Sequence, residues 1–299
     1  MHTISVLMST YNGERYLCQQ IDSILGQEGV EVNLLVRDDG STDNTLDILE
    51  SYAQKGQLKW YQGENLKSAR SFLKLLQDSD KCDYYAFADQ DDYWEADKLK
   101  VAIECLLDYG EDTYALYLAQ PQAADQNLNP LPTIQFKPLN TFGESLVYRF
   151  AMGCTMVMNN KLRDVIISYE QQYPCMHDLW TYTIAHAIGA KVIWDDTPHT
   201  LNRQHGNNVV GLGEGLLEIW SARLRRLCGK EEERYHQNAE IRKAFRDLMP
   251  KENMDTIDLF VQAKHSFMKR LKLVTSPKYR CSNRMTYLLF LLSAAINRY

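Results

Sequence analysis

The strongest constraint on this chain is a series of short apolar runs, each breaking into a polar loop and separated by segments of helical period. Thr3 to Met8 breaks at Ser9-Thr10-Tyr11-Asn12-Gly13, and Val32 to Arg37 ends in Asp38-Asp39-Gly40-Ser41-Thr42-Asp43. Tyr84 to Ala88 runs into Asp89-Gln90-Asp91-Asp92. Between them, Glu14 to Leu25 carries Tyr16, Leu17, Ile21, Ile24 and Leu25 at helical spacing, and Thr45 to Ala53 and Ala69 to Gln77 also read as helices. Leu58 to Tyr61 reads as a further strand. Strands and helices alternating at this spacing predict βαβ units, an α/β fold with a mainly parallel sheet flanked by helices. Ligands in such sheets bind beyond the carboxyl ends of the strands, so the three polar loops converge on one crevice.

The tetrad Asp89-Gln90-Asp91-Asp92 is the most demanding of these loops. Three carboxylates at the end of a buried strand repel one another unless something positive binds there. A hard divalent cation carrying a diphosphate answers that need, since Mg²⁺ and Mn²⁺ take oxygen ligands and share them with phosphates. The competing reading is an acidic N-cap for a helix starting near Glu95. One acid serves a cap; three in four positions favour a site.

Further along, Glu95 to Asp108 is helical, Tyr114 to Ala119 is a strand, and Pro121 to Pro138 reads as a loop on the acceptor side. Met152 to Met158 reads as a strand, Lys161 to Gln172 and Asp178 to Ile188 as helices, and Lys191 to Trp194 as a short strand. From about Gly213 the period is helical: Leu216–Cys228, Glu231–Leu248, Met254–Leu271 and Asn283–Asn297. The expected division is therefore an α/β unit over residues 1–212 and a helical region over 213–299.

Charge and cysteine usage bound the function. The formal net charge is −6, yet Leu259 to Tyr299 holds eight Lys and Arg and no acid, leaving a net of −14 on the first 258 residues. An acidic body argues against general nucleic-acid binding, while the basic tail points to an anionic surface. Seven scattered cysteines without a Cys-x-x-Cys pair suit a reducing compartment without structural zinc. The amino terminus lacks the basic head and longer apolar stretch of a signal peptide, so a cytoplasmic location is expected.

These loops, in order and spacing, resemble the family 2 inverting glycosyltransferases over residues 1 to about 210. The resemblance implies the GT-A fold, Rossmann-like, with a nucleotide-sugar donor and a helical C-terminal extension. Within that family, His177-Asp178-Leu179-Trp180 followed by Leu201-Asn202-Arg203-Gln204-His205-Gly206-Asn207-Asn208-Val209-Val210-Gly211 is most similar to bacterial rhamnosyltransferases of surface-polysaccharide assembly. It implies transfer of L-rhamnose from dTDP-L-rhamnose to a glycan or lipid-linked glycan acceptor. A UDP-hexose donor, or a nucleotide-binding scaffold that has lost catalysis, are the rival readings; Asp91 and Asp178 together argue against the scaffold.

The resemblance also implies residue roles. Thr10 and Tyr11 would hold nucleobase and ribose, Asp38 would accept the pyrimidine N3–H, and Asp89 would lie near the ribose. Asp91 would ligate Mn²⁺ or Mg²⁺, with Asp92 in support or capping a helix. Arg70 would contact base or phosphate, although the chain departs from the family pattern at Lys67, where relatives often carry Gly. Asp178 would be the general base of a single in-line displacement; the competing reading is an N-cap. His205 would meet the metal or diphosphate, with Arg203 a further phosphate candidate. Trp94 and Trp180 read as packing behind the site, and Cys154 is not the nucleophile. His2, His186, His199, His236 and His265 lack ligand-like partners. The apolar stretch from Thr286 to Ile296, flanked by Arg284 and Arg298, is too short to span a bilayer, for which about 20 residues are needed. It reads as a membrane-surface element on the inner leaflet, a dimer seam, or a helix buried on the catalytic unit.

Overall fold

A computed structural model describes residues 1–110, 112–148, 151–173, 175–205 and 233–299. The first half alternates as expected: β1 (His2–Thr10), α1 (Leu17–Leu25), β2 (Val30–Asp38), α2 (Thr45–Gln54), β3 (Lys59–Gln62), α3 (Lys67–Asp78) and β4 (Tyr84–Ala88). Next come β5 (Tyr93–Trp94), α4 (Lys98–Leu107), β6 (Ala115–Ala119), β7 (Gln122–Ala124), α5 (Phe142–Ser145), β8 (Val157–Asn159), α6 (Asn160–Ile167), α7 (His177–Ala187), β9 (Lys191–Asp195) and β10 (Thr200–Arg203). The described C-terminal helices are α8 (Glu233–Phe245), α9 (Lys251–Gln262), α10 (Phe267–Thr275) and α11 (Arg284–Ala295).

Among the described residues the main sheet has seven strands in the order β3-β2-β1-β4-β8-β6-β9, all parallel except β8. This is the GT-A-like arrangement. Register fixes the site: Thr10 pairs with Asp38 across β1–β2, and Met8 with Ala88 across β1–β4. The loops leaving β1, β2 and β4 therefore start at one edge, where the chain order reverses between β1 and β4.

Period-two alternation sorts the core. Ile4, Val6 and Met8 of β1, with Ala86 and Ala88 of β4, face α1, α2 and α4 through Leu17, Ile21, Leu49, Leu99 and Ile103. Leu7, Tyr85 and Phe87 face the other way, onto Phe72 and Leu75 of α3 and onto Trp180 and Ile184 of α7. That second cluster runs on into Ile241, Phe245, Phe260 and Phe290, so the C-terminal helices share a core with the sheet. The expected boundary at residues 212 and 213 lies outside the described residues, as does the helix expected over Leu216–Cys228.

Several expectations change. The strand expected from Met152 is confined to Val157–Asn159, because Gly153–Thr155 forms a 3-10 turn in which the Thr155 hydroxyl donates to Met152 O at 2.9 Å. The loop expected over residues 121–138 contains β7, which pairs with β10; β10 pairs in turn with β5 in a small second sheet. Pairing of Trp94 with Thr200 delays the helix expected at Glu95 until Lys98, with Asp97 at its N-cap, so no tetrad acid caps it. The single helix expected over Met254–Leu271 is two, because Ser266 opens a new one by accepting from Lys269 N.

Candidate active site

The small sheet carries β10 to the acidic loop. Asp92 Oδ1 accepts from Asn202 Nδ2 at 3.0 Å and from Arg203 N at 3.1 Å, which binds the end of β10 to the tetrad. Asp92 is thus a tether rather than a helix cap. Arg203 is buried: its Nε donates to Asp91 O and its Nη2 to Gln19 Oε1, both at 2.7 Å, and its guanidinium lies 4.4 Å from the Tyr16 ring centroid. The phosphate contact expected of Arg203 gives way here to a structural clamp, since those donors already serve protein oxygens. Two residues on, His205 Nε2 lies 2.8 Å from Asp91 Oδ2. The Gly206–Gly211 part of the motif lies outside the described residues.

Behind the loop is a buried charge cluster. Carboxylate oxygens of Asp89 and Asp92 and the Cys154 sulfur lie within 4.8 Å of one another. Burial, then repulsion from Asp92, Asp91 and Asp178, pushes the Asp89 carboxyl well above the usual carboxylate range, with Lys98 opposing. Burial and repulsion from Asp91 push Asp92 up to about 7. Lys98, itself buried, donates from Nζ to Cys154 O at 2.7 Å and sits 3.1 Å from the Trp94 ring centroid; burial lowers it to about 7. Burial, then the nearby Asp92 and Asp89, also push the Cys154 thiol well up. Lys98 was missed in the sequence because it sits on a helix, where a lysine ordinarily faces water.

The β1 and β2 loops are laced together. Asp38 is fully buried: Oδ1 accepts from Gly40 N at 2.9 Å and Ser41 N at 2.8 Å, while Oδ2 accepts from Thr10 Oγ1 at 3.0 Å and from the Ser41 hydroxyl. A carboxylate has about four acceptor positions, and these four donors occupy them. Asp38 therefore ties the end of β1 to the loop after β2. Its neighbour Asp39, not singled out in the sequence, is buried in an ion pair with Arg37 and accepts from Ser71 Oγ at 2.9 Å. Tyr11 is half-exposed, and its backbone is gripped by the Gln90 amide, which accepts from Tyr11 N at 2.9 Å and donates to Tyr11 O at 3.2 Å. Arg70 is exposed on the first turn of α3. Lys67 opens that helix at φ +61°, the left-handed backbone that favours glycine.

Asp178 lies in the first turn of α7, one residue past the start of the helix rather than at its N-cap Met176, and its Oδ1 accepts from Leu179 N at 2.7 Å, so the carboxylate still serves an amide of the helix end. The preceding His177 stacks on Phe72 at 4.0 Å, meets Phe87 edge-on at 4.7 Å, and is pushed down to about 3 by burial. A Cβ on Gly153 would come within 2.5 Å of His177 Nε2, so this glycine allows α7 to approach the 3-10 turn. Trp94 and Trp180 are buried, as expected. His199 departs from its expectation, because it lies between Asp97 (2.9 Å) and Asp195 (3.4 Å).

Thr10, Asp38, Asp89, Asp91 and His205 thus gather at one edge of the sheet, with Asp178 close enough to bear on the Asp89 charge. The Asp91 carboxylate and the His205 imidazole are held side by side at that edge.

Comparison with known proteins agrees with this architecture. The profile of Glycosyl transferase family 2 matches residues 5–165. The dTDP-rhamnosyl transferase RfbG of Shigella flexneri is 33% identical over 221 residues, covering 68% of this chain and 73% of its own. The putative teichuronic acid biosynthesis glycosyltransferase TuaG of Bacillus subtilis is 29% identical over 157 residues, covering 52% of this chain and 61% of its own. Among solved structures, S. aureus TarS in complex with UDP-GlcNAc superposes with a TM-score of 0.55 at 20% identity, over 99% of this chain and 93% of that one. The mannosyltransferase PcManGT of Pyrobaculum calidifontis, in complex with GDP-Man and Mn²⁺, superposes with a TM-score of 0.54 at 15% identity, over 99% and 86%.

Proposed function

The chain belongs to glycosyl transferase family 2, and on that premise we propose that it is a metal-dependent inverting enzyme that moves L-rhamnose from dTDP-L-rhamnose onto a cell-surface or capsular glycan acceptor. The observation that carries the reading is the Asp91–His205 pair at the same sheet edge as the Asp178-bearing helix end. We assign residues 1–212 to the catalytic unit and 213–299 to its helical extension.

Asp178 takes the proton of the acceptor hydroxyl as that oxygen attacks the anomeric carbon, and the sugar–phosphate bond breaks in the same displacement. Asp91 and His205 would hold the cation, which when bound neutralises charge developing on the leaving diphosphate. Asp89 faces the ribose, and Tyr11, held by Gln90, contributes the nucleoside wall. Thr10 and Asp38 keep that wall in shape, Arg203 holds the Asp91 backbone from behind, and Arg70 stands free to meet the nucleotide from α3.

The rhamnosyl donor rests on the RfbG relative. A UDP-hexose donor is the second reading, because TarS is a relative named for N-acetylglucosaminyl transfer and binds UDP-GlcNAc in its structure. Transfer assays with dTDP-L-rhamnose, UDP-glucose and UDP-GlcNAc separate the two. Turnover with dTDP-L-rhamnose and inversion at the anomeric carbon by NMR are expected; exclusive use of a UDP-sugar overturns the donor, and retention overturns the mechanism.

A further inference from the structure

The outer surface of the last two helices fits no role in sugar transfer. On α11, Leu288 (55% exposed), Leu292 (59%) and Ile296 (60%) form one stripe at helical spacing. On α10, which packs against α11, Phe267 (72%) and Met268 (71%) are more exposed still. The inner face is already satisfied, because Phe290 stacks on Phe260 at 6.0 Å between ring centroids. The outer face of α11 is thus apolar where a buried helix would turn a basic face to water. Exposed apolar groups this dense mark an interaction surface.

Charge decides the occupant. No acid occurs from Leu259 to Tyr299. Exposed Lys269, Lys272, Arg280 and Arg284 in and beside these helices have no ion-pair partner among the described residues. A second copy docking through the same face would set these cations against their own counterparts. An anionic bilayer meets both demands, with apolar side chains entering at the headgroup boundary and lysines and arginines on lipid phosphates. With 12 residues α11 lies along such a surface, and no described helix is long and apolar enough to cross it.

We infer that α10 and α11 form a docking surface for anionic phospholipid membranes. The inference stands on surface chemistry alone, so vesicle binding and sugar transfer are independent measurements. The test is co-sedimentation of the full-length chain with phosphatidylcholine vesicles, with and without phosphatidylglycerol. Binding is expected only with phosphatidylglycerol and should weaken with added salt. It should fall about tenfold or more in Leu288→Gln/Leu292→Gln and in Lys269→Gln/Lys272→Gln. Phe267→Gln/Met268→Gln provides a second apolar variant, and thermal melts verify that each variant folds. Absent or equal binding to both vesicle types, or unchanged binding in the folded variants, overturns the proposal. So does a dimer in sedimentation velocity that dissociates in Leu288→Gln/Leu292→Gln while vesicles are ignored.

Discussion

His205 Nε2 lies 2.8 Å from Asp91 Oδ2, joining side chains 114 positions apart in the chain. The contact exists because β10 pairs with β5, and because Asp92 and Arg203 tie the two loops together from behind. The proposed cation site rests on this pair.

Asp91→Ala and His205→Ala should each weaken nucleoside diphosphate binding at least about tenfold when Mn²⁺ is present. Calorimetry in EDTA should show little difference between these variants and the parent. An equal loss in EDTA would mean that the pair is only structural.

Asp178→Asn should lower kcat by about 10²–10⁴-fold while leaving donor affinity nearly unchanged. The amide keeps the shape of the side chain but cannot take a proton at the pH of the assay. Near-parent turnover would remove Asp178 from the mechanism.

Gly13→Ala should destabilise the fold, because its Cβ would clash with the Gln90 amide that grips Tyr11 and force that amide to let go or move. Denaturant melts of Gly13→Ala, Gln90→Ala and the double variant should be clearly non-additive, since both act on one contact. Strict additivity would show that the two residues do not meet.

The share of stability that comes from His177 and His186 should fall on acidification between about pH 6.5 and pH 3, against an opposite share from the raised Asp89 and Asp92 carboxyls. His177 is pushed down to about 3 and His186 to about 4 by burial, whereas an unfolded histidine titrates near 6.5. In that window the unfolded chain binds more protons at these histidines, so their contribution is complete above about pH 6.5 and is lost as pH falls toward the folded values. His177→Phe should shift the slope of denaturant melts taken at several pH values toward less loss of stability on acidification, relative to the parent. An unchanged slope would mean that His177 is protonated in the folded chain.

The alternating strands were legible because period-two and helical patterns are local, and Thr10, Asp38, Asp89 and Asp91 followed from where those strands stop. Elements set by distant partners were not. β7 forms by pairing with β10, and α4 starts late because Trp94 pairs with Thr200. The Met254–Leu271 pattern hid the break at Ser266, since an apolar period continues across it.

By itself the sequence determined the α/β alternation and an acid-rich loop at one edge of the sheet. Only the tertiary structure decided what each side chain has left to offer. Asp38 and Arg203 look like ligand contacts in one dimension. In three, Thr10 across the sheet joins Gly40 and Ser41 of its own loop in donating to Asp38, and partners from separate segments engage the guanidinium of Arg203. A hydrogen-bonding group has a small, fixed capacity, and which partners use it depends on packing between segments far apart in the chain.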